Sequence, residues 1–235
     1  MLSDIFLDIQ KNKKEWLKNK KGSEFEDRFE TSLKRYGFNR RMSSDEGIKN
    51  ILSSIKNDIL DKNSDKVIDN IYALEDKSME NCFVWQPYGS QNFPDFLIFT
   101  NKKIVAIEIK YSSGKSSKPT WNSNLPKSNA IYIFGSYGLS DVTFFLGKDV
   151  LSMEERTELV SFFENNAKRL EKEFRKEMRN KLNNMNYKFD RGFDVYIRTA
   201  YEQNKNINKD AKIDYFSHID RIECENNVIE FCRSL

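Results

Sequence analysis

Hydrophobic positions recur along this chain in two different periods, and the switch between them divides it. From residue 4 to residue 75 the spacing is helical. Ile5, Phe6, Ile9, Trp16 and Leu17 fit one amphipathic helix over 4–20. Gly22-Ser23 breaks it. Ser23 is placed to cap a second helix, with Glu26 three residues later as its capping-box partner. Phe25, Phe29 and Leu33 give that helix an apolar stripe, and Gly37 is its stop signal. Residues 47–75 carry Ile48, Ile51, Leu52, Ile55, Ile59, Val67, Ile68, Ile71 and Leu74, which predicts two further helices parted at 61–65.

Past residue 80 the runs shorten. Cys82–Trp85 is a compact apolar segment, and Pro87–Gly89 turns the chain. Phe96–Phe99 and Ile104–Ile109, joined by Asn101-Lys102-Lys103, read as a β-hairpin. Ala130–Phe134 and Val142–Leu146 predict two more strands. Ser152 and Glu155 form a second capping box, opening a long helix with Leu159, Phe163, Ala167, Leu170, Phe174, Met178 and Leu182 at three- and four-residue steps. Phe193, Val195, Ile197 and Thr199 alternate with Asp194, Tyr196 and Arg198, so a strand is expected there, followed by a short mixed tail from Ile213 to Phe231. Helices, then strands, then helix and strand, with no repeats, predict one α/β domain over 1–235 with a central mixed β-sheet flanked by helices. Its parts are a mainly helical 1–80, a sheet at 81–150, and a helix, strand and tail at 151–235.

Composition narrows the chemistry. The chain has 235 residues and a single His, His218. That excludes His-rich zinc sites, HEXXH proteases and HNH nucleases. His218, among Asp214, Tyr215 and Asp220, can be read as a base or as a surface residue. Cys82, Cys224 and Cys232 are too widely spaced for a zinc or redox motif and point to a reducing compartment. No P-loop and no GxGxxG is present. No apolar run approaches a membrane span, and the N-terminus has no secretory pattern. A soluble cytoplasmic protein is expected, and the Lys-, Asn- and Ile-heavy composition suggests a bacterial source. Carboxylates, Lys and a metal from solution are what remain for catalysis.

The predicted hairpin concentrates those groups. Asp95 opens its first strand, and twelve residues separate it from Glu108-Ile109-Lys110. Residues i and i+2 of a strand share a face, so Glu108 and Lys110 point one way while Ile107 and Ile109 point into the core. The hairpin folds Asp95 beside Glu108. Two adjacent carboxylates repel unless a cation sits between them, and oxygen ligands without His select a hard ion such as Mg²⁺. Lys110 would then hold or activate water near a scissile phosphate.

Net charge is only +3, yet its distribution is uneven. Residues 11–21 hold six Lys and one Glu, residues 168–181 seven Lys/Arg and three Glu, and residues 102–127 six Lys and one Glu. The first two read equally as solvated helix faces. The third surrounds the carboxylates. Residues 111–129 are polar and aperiodic, either a surface loop or a DNA-contacting one with Lys115, Lys118 and Lys127 on phosphates and Asn122 or Asn124 able to pair with adenine. Ser90 and Gln91 are similar candidates. Trp121 can serve as a packing anchor or a base-stacking platform. Arg198 can reach DNA or remain a structural surface residue.

Pro94-Asp95 … Glu108-Ile109-Lys110 resembles the signature of the PD-(D/E)XK nucleases. Three neighbours extend the resemblance over roughly residues 22–147. The segment Gly22-Ser23-Glu24-Phe25-Glu26 with Phe29, Leu33 and Gly37-Phe38 looks like the family's first helix. Gln86–Gln91 is similar to the lead-in of several type II restriction endonucleases. Lys118-Pro119-Thr120-Trp121-Asn122 … Leu125-Pro126 and the strand after it resemble the segment behind E-x-K. The resemblance implies a restriction-endonuclease-like core and a Mg²⁺-dependent, site-specific endonuclease of double-stranded DNA. It would leave 5′-phosphate and 3′-hydroxyl ends and act as a homodimer on a two-fold symmetric site. It implies that Asp95, Glu108 and the Ile109 carbonyl hold the metal, and that Glu26 orients a water or second ion. A structure-specific repair or junction nuclease and a non-catalytic DNA-binding module are the competing readings.

Overall fold

The strands at the centre of the chain are its most continuous apolar runs, and their two-residue alternation decides how the helices stack. The computed structural model describes residues 1–18, 20–60, 72–121, 125–185 and 213–235, with main chain only at positions 153, 163 and 164. The expected strand at 193–199 with Arg198, the segment 61–71, and Asn122 and Asn124 lie outside the described residues. Seven strands form one mixed sheet: β1 (Asn39–Arg40), β2 (Tyr72–Ala73), β3 (Cys82–Trp85), β4 (Phe96–Phe99), β5 (Lys103–Ser112), β6 (Ile131–Ser136) and β7 (Asp141–Leu146). Their order is β1-β3-β4-β5-β6-β7, and β2 pairs with the start of β5. The β4–β5 hairpin is antiparallel, whereas β6 lies parallel to β5. A parallel neighbour needs a crossover, and a helix usually supplies it. Here the crossover is 113–130, and its described residues contain no helix.

Each side of the sheet has its own core. On one face Phe83, Phe96, Ile98, Val105, Ile107, Ile133 and Phe144 meet Ile5, Phe6 and Ile9 of α1 (Leu2–Lys11), Phe25, Phe29 and Leu33 of α3 (Gly22–Arg35), and Val228 and Ile229 of α7 (Arg221–Ser234). On the other, Val84, Leu97, Phe99, Ile104, Ala106, Tyr132 and Phe134 meet Ile48, Leu52, Ile55 and Ile59 of α4 (Glu46–Leu60). In β5 the odd residues face the first core and the even residues the second. Glu108 and Lys110 therefore share the α4 side, as the strand period requires.

The ends of the elements show where local signals win. Gly37 takes φ +89, Phe38 N–H donates to Leu33 O (2.9 Å), and Gly37 N–H donates to Lys34 O (3.1 Å). That pair of bonds is a Schellman stop, for which a left-handed glycine is suited. Gly147 is fixed by space: a Cβ there would lie 1.9 Å from Lys127 O, so the crossover can reach α5 (Gly147–Val150) only over a glycine. The capping box of α6 (Met153–Asn183) is present, Ser152 Oγ accepting from Glu155 N–H (3.2 Å) and Glu155 Oε2 from Ser152 N–H (2.9 Å).

Four expectations need correction. The helix over 4–20 is two, α1 and α2 (Lys13–Trp16), broken at Asn12. Asp8 holds the break, accepting from Asn12 Nδ2 (2.7 Å) and Trp16 Nε1 (3.1 Å). The Ser23 cap does not form: α3 begins at Gly22 after Lys21, with no side-chain cap bond. Residues 72–73 are strand rather than helix, because the unused edge of β5 at Lys103–Ile104 takes them as β2. The mixed tail contains the 14-residue α7.

A buried carboxylate secures α7. Glu225 is fully buried, and its Oε1 accepts from Arg221 Nε (2.9 Å), Thr143 Oγ1 (3.0 Å) and Lys13 Nζ (3.3 Å), while Oε2 accepts from Gln10 Nε2 (3.1 Å). Arg221 also grips Asp141 through both terminal nitrogens, at 2.8 and 2.7 Å. Removing one partner of such a group leaves buried charge uncompensated, at a cost of about 3–5 kcal/mol. Glu225→Ala should lower unfolding stability by that order in a urea titration, and a change under about 1 kcal/mol would show that the network is dispensable.

Candidate active site

The open end of the β4–β5 hairpin gathers the charged groups. β4 stops at Phe96 opposite Ile107, so the β5 edge beyond that point is left without a ladder partner on this side. Asp95 fills the gap with its side chain: Oδ2 accepts from Ile109 N–H at 2.7 Å. The Ile109 carbonyl lies on the same edge, since a strand residue directs its N–H and C=O to one side. The main chain of Asp95 is held as well, its carbonyl accepting from Gln86 N–H at 2.7 Å. Gln86 adopts φ +45 to make that bond, which carries β3 one residue past Trp85.

Glu108 and Lys110 stand next to one another on the α4 side. Lys110 Nζ donates to Glu108 Oε1 at 2.8 Å and lies 5.8 Å from the centre of the Trp121 ring. Both side chains are largely covered, at 15% and 17% exposure, so this is no loose surface pair. The second carboxylate oxygen, Glu108 Oε2, is buried and has no hydrogen-bond partner. A buried acceptor left empty costs about 1–3 kcal/mol, more when charged, and asks for a ligand. Burial, then the Glu108 charge and that of Glu26, raise the Asp95 carboxyl to about 8, against the opposing Ile109 N–H and Lys110.

Glu26 reaches the same site from α3. The first turn of that helix lies on Tyr111 at the end of β5, and Phe25 packs on the Tyr111 ring with centroids 5.6 Å apart. The Glu26 carboxyl is raised by burial, lowered by Trp85, raised by Glu108 and Asp27, and lowered by Gln86, with a net rise. With no cap to serve, Glu26 is accounted for by this cluster. Trp85 and Gln86 are neighbours that the spacing argument does not single out. Trp85 has no sequence signal beyond its place at the end of β3, whereas Gln86 opens the Gln86–Gln91 segment that carries part of the resemblance.

The other candidates divide. Ser90, Gln91 and Lys115 are exposed, and Lys118 is half-buried. Lys127 is not a surface cation: it is 1% exposed, its ammonium donates to Asp58 O at 3.0 Å, and its main-chain N–H donates to the Tyr132 hydroxyl at 2.8 Å. Its phosphate role is withdrawn, because the residue ties the crossover to α4. Trp121, 5% exposed and edge-on to Tyr132 at 5.0 Å, is a packing anchor; stacking on a base requires an open ring face. His218 is exposed, accepts from Asp220 N–H at 3.2 Å, and lines a cavity with Thr143, Phe145, Asp149 and Arg221 that includes neither Asp95 nor Glu108.

Among the described residues no three His, Cys, Asp or Glu side chains converge as a metal-ligand group. Asp95 and Glu108 are two, with a main-chain carbonyl beside them. No helix of the described residues is long and apolar enough to cross a membrane. No protein-family model, curated protein or solved structure matches this chain.

The raised Asp95 carboxyl predicts a pH effect of known sign. Between about pH 4 and about pH 8 the folded chain keeps a proton that the unfolded chain has released. The resulting loss of stability is absent below that window and complete above it. Asp95→Asn should therefore gain on the wild type as pH rises. Urea midpoints of the two proteins at about pH 5 and about pH 8 test this, and an unchanged difference would refute it.

Proposed function

We propose that this chain is a Mg²⁺-dependent, site-specific endonuclease of double-stranded DNA with a restriction-endonuclease-like core. It would hydrolyse phosphodiester bonds to 5′-phosphate and 3′-hydroxyl ends. One observation carries the reading: Glu108 Oε2 is buried and unpartnered beside a second carboxylate, and Lys110 satisfies only Oε1. The donor set is oxygen alone, which suits Mg²⁺ rather than zinc or copper. A bound Mg²⁺ would polarise a phosphoryl oxygen and lower the pKa of a bound water.

The chain's own residues do the rest. Asp95, locked by Ile109 N–H, would offer its remaining oxygen lone pairs with Glu108 Oε2 and the Ile109 carbonyl to the cation. Lys110 would direct its other ammonium protons to the attacking water or a non-bridging phosphate oxygen. Glu26, with its raised carboxyl, would hold a water or a proton at the rim of the pair. Lys115 and Lys118 would bind flanking phosphates, and Ser90 and Gln91 are the exposed side chains available for base edges. Two copies, each cutting one strand, fit a two-fold symmetric target.

Digestion of a sequenced duplex in Mg²⁺, with the ends mapped, tests the proposal. Discrete fragments are expected; cutting confined to branched DNA would establish a junction nuclease, and no cutting would leave a binding module. Asp95→Ala and Glu108→Ala should each lose at least about 100-fold in cleavage rate while keeping duplex binding. Mg²⁺ should raise the melting temperature of the wild type near pH 8 and leave Asp95→Asn unmoved. DNA binding should weaken steeply with salt, and a Lys115→Ala, Lys118→Ala double variant should reduce the log–log slope by about 2.

A further inference from the structure

Helix α3 presents two carboxylates to the sheet. Glu26 and Glu30 are one turn apart and share a stripe of the helix. Glu26 reaches the carboxylate cleft, while Glu30, 7% exposed, meets the β1 edge of the sheet. There its Oε1 accepts from Arg40 Nη1 at 2.9 Å. Burial raises the Glu30 carboxyl, but Lys34 and Arg40 outweigh it and hold it low, so this contact is an ion pair.

Strand register brings an indole to the same place. Arg40 is paired with Phe83, and Trp85, two residues further along β3, shares the Phe83 face. That face is the one α3 covers. The Arg40 guanidinium lies 5.1 Å from the centre of the Trp85 ring. A planar guanidinium can stack on a ring and bond a carboxylate at once, which a lysine ammonium cannot match. Trp85 Nε1 is buried and makes no hydrogen bond within the described residues. A buried donor in that state asks for an acceptor. The carboxyl it acts on is that of Glu26: burial raises this group most, and of the two side chains that lower it the Trp85 indole is stronger than Gln86.

We infer that Trp85 and Arg40 are positioning residues for Glu26. Glu30 anchors the guanidinium, the guanidinium fixes the plane of the indole, and the indole N–H is offered to the Glu26 carboxylate. The circuit leaves α3 at Glu30, crosses β1 and β3, and returns to α3 one turn earlier. A free glutamate samples many rotamers; the indole selects those that put the carboxyl beside Glu108. A staple that only held the short β1 strand would give Glu26 no part. The effect on rate rests on the nuclease reading; the hold on Glu26 does not.

Proton–nitrogen spectra of the whole chain test the hold directly, because its three tryptophans give three indole N–H signals. Glu26→Ala and Arg40→Lys should each move the Trp85 signal and leave in place that of Trp16, whose N–H is bonded to Asp8. A Trp85 signal indifferent to Glu26→Ala overturns the inference, and one indifferent to Arg40→Lys removes Arg40 from it. Trp85→Phe keeps a ring under Arg40 and deletes the donor. In Mg²⁺ it should lower kcat at least about 10-fold, with KM for duplex and the unfolding midpoint nearly unchanged. Adding Trp85→Phe to Glu26→Ala should cost no more than Glu26→Ala alone. Losses that multiply, or full kcat in Trp85→Phe, overturn the positioning role. A wild type that cuts no DNA defeats the nuclease reading, and the indole spectra still decide whether Trp85 holds Glu26.

Discussion

The two-sided burial of β5 is the constraint on which the rest of this molecule depends. The strand is covered on both faces, with β4 along one edge from Ile104 to Ile107 and β6 along the other from Ile107 to Ser112, and its charged pair sits where β4 has run out. That place is the stretch past Ile107, where β4 has ended. Asp95 substitutes a side-chain oxygen for the missing ladder acceptor, and the strand period puts Glu108 and Lys110 alongside. The crowding of acid groups follows from the same ending of β4 that exposes the edge. The arrangement works against stability, since a raised carboxyl and an empty buried oxygen both disfavour the folded state. The apolar strands on either side, with Phe83, Phe96, Ile107, Ile133 and Phe144 fully buried, are what hold it together.

Much of this was legible in the residue order. The strands at Phe96–Phe99 and Ile104–Ile109 show because apolar runs of that length bounded by polar turns have few other uses. Their parity fixes the shared face of Glu108 and Lys110. Gly37 and Ser152 mark helix ends because their chemistry is local. The failures share a cause, which is that the deciding partner is distant in sequence. α7 was missed because its covered face includes Glu225, a residue that looks like solvent-facing polarity until Arg221, Lys13 and Thr143 surround it. Lys127 reads as a surface cation until Asp58 and Tyr132 are placed around it. Glu26 reads as a cap until the helix starts two residues early and the carboxyl turns to the cluster.

Lys127 and Gly147 also give the crossover its shape. A segment that joins parallel strands without a helix must be held by other means. Here the Lys127 carbonyl lies against Gly147, Lys148 N–H donates to Ser128 O at 3.0 Å, and Trp121 wedges against Tyr132 and Phe145. The exposed Lys115 is thus carried on a loop whose far end is internal.

The packing of α7 against α1 and β7 has a consequence in time as well as in space. Ile5, Phe6 and Ile9 leave the ribosome long before Val228, Ile229 and Cys232, which pack with them. Until they arrive, Lys13 and Asp141 lack Arg221 and Glu225, and one side of the sheet is uncovered. A growing chain can assemble the β4–β5 hairpin and its carboxylates long before that, but it cannot close the core behind them. The order of synthesis therefore makes closure of this core wait for α7.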